Sequence, residues 1–520
     1  MIRMNYLFLL SAILLFSTGC ASETPTLDIA LSDKEVSYES GTLALSISSS
    51  SPWKLVCDDW WLTFPTTSGE KGSSELTGQI KENHSPSERT LNITVSAGGL
   101  EKSCSVHQAA APVNPNPDPE PDPDPNPDPN PDPDPEPYTE YTRSGLKKMK
   151  LMGFWGPGGE EKDKTITPEK YREMAQCGFT LSLTKFFSVE DIKKSAAASD
   201  GTGVQLIIGL WTVTEDNIKA IKNLPQIYGY YLKDEPSVDQ MASVKEQYEL
   251  YKRVDPTRMC YVNLLPIHAR TMFMGVDDYN KYISEYLKYE IPLLSYDFYS
   301  ISGEAMDIHP QYYEALDLMS GIGRQTGYPV WTFVLSYNHR DYPSTESTMR
   351  FQAWAGLAYG SDCIEYYTYL TPDKAHGTGL LDTHYLRTER WDQVRMLNAE
   401  IQGLADVFVD REVIKVRGIG YSATGLPLLG EDELPSPFKS IHCGLKEGLL
   451  LSHFKNGDAE YVMLLNLNIK DSQSIALEFE EGKEPTEFVV DRQFVSQFKT
   501  HPASKSRMLP PGDMALYRIK

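Results

Sequence analysis

From Pro115 to Pro137 every second residue is proline, and each proline follows Asn, Asp or Glu. Proline has no amide donor and restrains its predecessor to extended geometry, so neither helix nor sheet can run through this stretch. It carries eight acids, no Lys or Arg and no aromatic residue. Like charges stiffen the chain, and at about 3.1 Å per residue it would reach roughly 75 Å as polyproline II. The expectation is a spacer over 112–138; a proline-rich ligand for a partner domain is the alternative. The chain of 520 residues therefore folds as separate bodies on either side. Lys+Arg 49 against Asp+Glu 72 gives a net charge of −23, which argues against nucleic acid or an anionic membrane surface as partner.

Met1–Gly19 has the layout of an export signal: Arg3, an apolar run over Tyr6–Phe16, then small residues Ser17-Thr18-Gly19 before Cys20. The run is too short for an ordinary transmembrane helix. Small residues directly before a cysteine resemble a bacterial lipoprotein signal. That resemblance implies lipidation at Cys20, placement at the outer membrane or cell surface of a Gram-negative bacterium, and membrane attachment through lipid alone.

Between signal and spacer, residues 27–111 read as short alternating strands, including 43–47, 53–56, 91–95 and 103–107, with turn signals Ser68-Gly69 and Gly98-Gly99. This pattern predicts a small antiparallel β-sandwich. Ser51-Pro52-Trp53, Trp60-Trp61-Leu62, Asn83 with Arg89, and the closing Val106-His107-Gln108-Ala109 resemble a BACON domain, common in exported proteins of Bacteroides-type bacteria. The resemblance implies either carbohydrate binding or a spacer role. Trp53, Trp60 and Trp61 would be the sugar platform in the first case and core residues in the second. Seven cysteines make no disulfide framework and show no metal-ligand spacing. Cys57 and Cys104 share this module and form a candidate disulfide.

Beyond the spacer, strand and helix patterns alternate over 145–406. Candidate strands are 149–154, 179–183, 204–210, 227–232, 259–264, 293–298, 330–335 and 363–369. Eight strands, each followed by a helix-length interval, predict a (β/α)8 TIM barrel. The Gly156-Pro157-Gly158-Gly159 run matches no phosphate-binding pattern. Chemistry in such barrels sits at the C-terminal strand ends. Those ends carry Trp155, Lys185, Trp211, Asp234 with Glu235, Asn263, Asp297 with Tyr299, the run to His339 and Asp341, and Tyr366, Tyr367 and Tyr369. Carboxylates among aromatics and amides suit glycoside cleavage. No Ser-His-Asp order or HExxH is present, and no nucleotide, flavin or metal cofactor is expected.

Gly229-Tyr-Tyr-Leu-Lys-Asp-Glu-Pro236 resembles the fourth strand of retaining clan A glycoside hydrolases, with Asp234 where the family usually has Asn. Ser295-Tyr296-Asp297-Phe298-Tyr299 and Trp354–Gly360 resemble the same group. The resemblance implies that Glu235 is the acid/base. It also implies a nucleophile Glu on the seventh strand, but 328–336 holds no carboxylate. Asp297 is the expected partner of Glu235, with Asp341 in the loop after the seventh strand as the alternative. Asp234, Lys185, Trp211, Asn263, Tyr299 and His339 are expected substrate-binding residues. Residues 407–520 return to strands (449–454, 461–469, 474–479, 514–519) and predict a C-terminal β-sandwich. The expected function is a surface lipoprotein glycoside hydrolase acting on a polysaccharide or host glycan, with glycan-uptake proteins at the cell surface as partners. The alternative is a glycan-binding protein that keeps the barrel without catalysis.

Overall fold

The computed structural model describes residues 25–57, 61–83, 88–110, 139–141, 147–159, 162–303, 305–338, 343–371, 377–490 and 498–520. The signal Met1–Gly19, Cys20, the spacer 112–138, Trp60, His339 and Asp341 lie outside the described residues. The chain divides into two compact units, one on each side of the proline stretch.

The N-terminal unit is a β-sandwich. One sheet orders Leu27–Leu31, Gly41–Ser49, Gly72–Ile80 and Leu62–Thr63; the other orders Glu35–Val36, Leu100–Gln108, Arg89–Ala97, Trp53–Cys57 and Ser68–Gly69. Strict alternation buries Leu43, Leu45 and Ile47 from one sheet and Leu91, Ile93 and Val95 from the other in a single core. Trp53 and Trp61 belong to that core. Gly69 lets Trp53 lie flat, because a Cβ there would come within 2.4 Å of its ring. Arg89 stacks over Trp61 and hydrogen-bonds Gln108 at 2.8 Å, which locks the end of the sandwich. The candidate disulfide is corrected by register. Cys57 and Cys104 both pair with Ile93, from strands on either side of it. Two strand spacings separate their backbones by about 10 Å, beyond the roughly 7 Å a disulfide can bridge.

The second unit contains a closed parallel barrel of eight strands. They are β1 (Lys150–Phe154), β2 (Leu181–Phe186), β3 (Gln205–Leu210), β4 (Ile227–Asp234), β5 (Met259–Leu264), β6 (Leu294–Tyr296), β7 (Val330–Leu335) and β8 (Cys363–Tyr367). Helices on the outside start at side-chain caps. Thr167, Ser188, Thr214, Asp278 and Thr345 each accept a hydrogen bond from the amide three residues on. The barrel interior is filled by Met152, Phe154, Leu183, Tyr261, Trp331 and Phe333 among others. One acid shares it. Glu365 on β8 accepts from Tyr261 (2.6 Å) and lies 2.7 Å from Ser295 Oγ.

A C-terminal sandwich follows, with seven strands in one sheet and three in the other. Leu449, Leu451, Val462 and Leu464 face the smaller sheet, while Leu450, Met463 and Leu465 join the barrel's outer core. Both faces of the large sheet are buried, so its strands read as unbroken apolar runs. Helix Glu346–Tyr359 is buried almost all round for the same reason. Arg350 on that helix pairs with Glu400 (2.6 Å) and with Asp513 of the sandwich (2.8 Å). The sequence reading placed no strand between spacer and barrel. Thr139–Tyr141 nevertheless pairs with Phe498–Pro502 at the edge of the large sheet. Three residues leave too short an alternation to recognise.

Candidate active site

The site begins with an irregularity in β4. Tyr231 pairs with Tyr261 and Asp234 with Asn263, so β4 spends one residue more than β5 over the same interval. Strict alternation would send Tyr231 and Asp234 to opposite faces; the bulge turns both inward. Asn263 then donates to Asp234 at 3.0 Å. The next residue, Glu235, leaves the strand in the left-handed region at φ 44°, with its amide bonded to the Asn263 carbonyl at 2.8 Å. A side chain other than glycine pays about 1–3 kcal/mol for such a conformation. The result aims the Glu235 carboxyl across the barrel mouth.

There it meets Asp297, which follows β6. The two carboxyls are in hydrogen-bond contact. Asp297 is 9% exposed. Burial, then the charges of Glu235 and Asp234, push its pKa well above the usual carboxylate range. Glu235 is exposed to solvent, yet protein crowds its carboxyl enough that desolvation is the largest cause of its own upward shift. Repulsion from Asp234 adds to this, and contact with Asp297 opposes it. Two carboxyls this close hold one proton between them as a unit.

Aromatic rings wall the pair. Tyr231, Tyr299 and Tyr367 all feel the Asp297 charge, and burial pushes the Tyr367 phenol up to about 12. Tyr299 and Tyr367 lie 5.8 Å apart between ring centres. The Lys185 ammonium rests over Trp155 (5.6 Å) and Tyr231 (5.1 Å). Trp155, like Glu235, takes a positive φ (53°) at its strand end. Farther out, Trp211 is 70% exposed and forms a tilted pair with Phe187 at 5.5 Å.

The fold thus gathers Glu235, Asp297, Asp234, Asn263, Tyr299 and Lys185 at one end of the barrel. Trp211 stands at the rim, and among the described residues no contact joins it to the acids. Of the three tyrosines at the end of β8 only Tyr367 faces the site. Tyr366 bonds Asn398 on an outer helix at 2.7 Å, and Tyr369 packs on Phe179. Sequence reasoning missed Tyr231 and Phe187; the first was hidden by the bulge, and the second sits one residue beyond its strand. It also missed that His268 and His309, from the loops after β5 and β6, come within 4.8 Å ring to ring. Burial holds His268 neutral down to about 4. Among the described residues no group of three or more His, Cys, Asp or Glu is placed to hold a metal ion.

No curated protein matches the chain in sequence. Among solved structures, it is similar to the Bacteroides ovatus GH5 xyloglucanase in complex with a XXXG heptasaccharide. That match has 12% identity and a TM-score of 0.31, and covers 71% of this chain and 98% of the other. The endo-β-1,4-mannanase of Thermotoga petrophila is 11% identical with a TM-score of 0.37, over 71% and 98%. A maltogenic α-amylase of Thermotoga neapolitana is 11% identical with a TM-score of 0.39, over 71% and 98%. All three are glycoside hydrolases by name. Family comparison identifies the first unit: residues 47–109 match the model described as "BACON: Putative binding domain, N-terminal", so the N-terminal module is a BACON domain.

Proposed function

We propose that the barrel is a glycoside hydrolase acting on a polysaccharide or host glycan, with Glu235 as proton donor and Asp297 as its partner. The observation that carries this reading is the carboxyl contact at the C-terminal mouth of a closed barrel, among rings suited to a pyranose. A glycosidic oxygen leaves poorly unless it is protonated. A carboxyl whose titration is pushed upward by crowding protein and by the neighbouring Asp234 charge is suited to supply that proton. Asp234, fixed by Asn263, contributes the neighbouring charge; Lys185 and Tyr299 line the ring site, and Trp211 offers a stacking face farther out.

Glu235→Gln keeps the shape and removes the proton. Hydrolysis across a polysaccharide panel is expected to fall by about 10²–10⁴-fold while substrate still binds. Near-normal turnover would end the assignment. A second reading, glycan binding without catalysis, is favoured by one observation: β7 carries no carboxylate. Wild-type protein that binds glycans and cleaves none would select it.

We further propose that the chain is a surface lipoprotein anchored through Cys20 and held off the membrane by the BACON module and proline spacer. No helix among the described residues is long and apolar enough to cross a membrane. Cys20→Ala is expected to move the protein from the membrane fraction to the soluble one; unchanged membrane retention would refute the anchor.

A further inference from the structure

The buried acid inside the barrel sits in a cluster whose hydrogens can be counted. Tyr261 Oη is 2.6 Å from Glu365 Oε2, Ser295 Oγ is 2.7 Å from Glu365 Oε1, and the two hydroxyl oxygens are 2.8 Å apart. All three residues are 0% exposed. Each oxygen–oxygen contact of this length needs a hydrogen between its partners. With Glu365 ionised, the two hydroxyls supply only two hydrogens for three contacts, and one pair of oxygens meets lone pair to lone pair. With Glu365 protonated, three hydrogens serve three contacts and the bonds close head to tail. Tyr261 donates to Oε2, Oε1 donates to Ser295, and Ser295 donates to Tyr261.

This ring lies one layer beneath the site. Residues two apart on a strand share a face, and two positions on from Tyr261, Ser295 and Glu365 come Asn263, Asp297 and Tyr367. Asn263 in turn holds the Asp234 carboxyl and accepts the Glu235 amide. The groups facing Glu365 favour its neutral form. β4 brings Asp234, whose charge opposes ionisation, and Tyr231. β8 itself adds Cys363 and Tyr367, while Met152, Leu183, Ile207 and Phe333 are the inward residues of β1, β2, β3 and β7. The Lys185 ammonium is spent on the rings of Trp155 and Tyr231. Among the described residues no cation pairs with Glu365, and burial is the largest cause of its rise to about 8.

We infer that Glu365 is a positioning residue for the hydrolase reading above: it works as a neutral acid, and its proton closes the ring that sets Asn263, Asp297 and Tyr367 in place. It touches no substrate and acts through the strands it ties, β5, β6 and β8. Loss of the proton opens the ring and leaves an anion in the interior beneath Asp234. The site then loses its floor as pH rises through the Glu365 titration, and keeps it below.

The test compares the full chain with Glu365→Gln, whose amide keeps a donor and an acceptor in the same shape and so closes the ring at every pH. Infrared difference spectra, wild type minus variant, should show the C=O stretch of a protonated carboxylic acid at pH 6. Carboxylate bands there instead would overturn the neutral acid. Ser295→Ala, which removes one member of the ring, should shift that stretch; an unshifted band would overturn the ring. On whichever glycan is cleaved, the ratio of wild-type to Glu365→Gln kcat should fall about tenfold between pH 6 and pH 9, as the protonated fraction does. The titration of Glu235 is common to both proteins and cancels in that ratio. A ratio constant with pH would overturn the positioning role and leave the hydrolase reading standing. Absence of cleavage on every glycan would overturn the hydrolase reading, and the positioning role with it, while the infrared band still decides where the proton is.

Discussion

The BACON module and the barrel mouth are both rich in aromatic side chains, and they use them in opposite ways. In the module, Trp53 and Trp61 are 2% and 0% exposed and pack with leucines and valines. At the barrel mouth, Trp155, Tyr231, Tyr299 and Tyr367 surround acids, and Trp211 stands in solvent. The interiors differ too. The module's buried polar residues among those described are Ser49, Asn83 and Gln108, none of which titrates. The barrel interior holds Glu365, and burial raises it to about 8 despite hydrogen bonds from Tyr261 and Ser295. A ring or an acid acquires its role from what surrounds it.

The largest effect expected from this contrast is in pH dependence. An acid raised in the folded state favours folding fully only below its unfolded value, and that stability drains away as pH rises through the folded one. A shift from 4.5 to about 8 in Glu365, at 1.36 kcal/mol per unit, corresponds to about 5 kcal/mol lost between those limits. Glu365→Gln removes this term. Denaturant unfolding at pH 5 and pH 8 should show the variant gaining on wild type at the higher pH, with the module's own transition unmoved. A parallel response of both proteins would dissolve the distinction between the two interiors.

Next in size is Trp61→Ala, which should destabilise the module by about 3–5 kcal/mol through loss of a fully buried ring. Barrel unfolding and hydrolysis should stay as they were. If calorimetry instead shows the module intact and a glycan-binding signal gone, Trp61 is a platform after all. The smallest effect belongs to the exposed counterpart. Trp211→Ala should change stability by less than about 0.5 kcal/mol and raise KM about fivefold, the worth of one stacking face, with kcat preserved. A large loss of stability with unchanged KM would place Trp211 among the structural aromatics.

Much of the architecture was legible from the chain alone, because it rests on local rules. Proline's missing amide divided the bodies, period-two alternation marked the sandwich strands, and Thr or Ser caps opened the helices that separate eight apolar runs. Met259–Leu264 and Val330–Leu335 are strands over the very residues the pattern picks out. The strand-end rule likewise brought Glu235, Asp297 and Asn263 onto the short list. What the sequence could not decide depended on one residue of register or on long-range closure. The bulge in β4 put Tyr231 beside Asp234 against strict alternation. The strand carrying Ile93 separated Cys57 from Cys104. Barrel closure brought carboxyls 62 positions apart in the chain together at one end of the barrel. Burial, which turns a carboxyl into a proton donor and a tryptophan into core, is a property of the assembled neighbours, and no single segment encodes it.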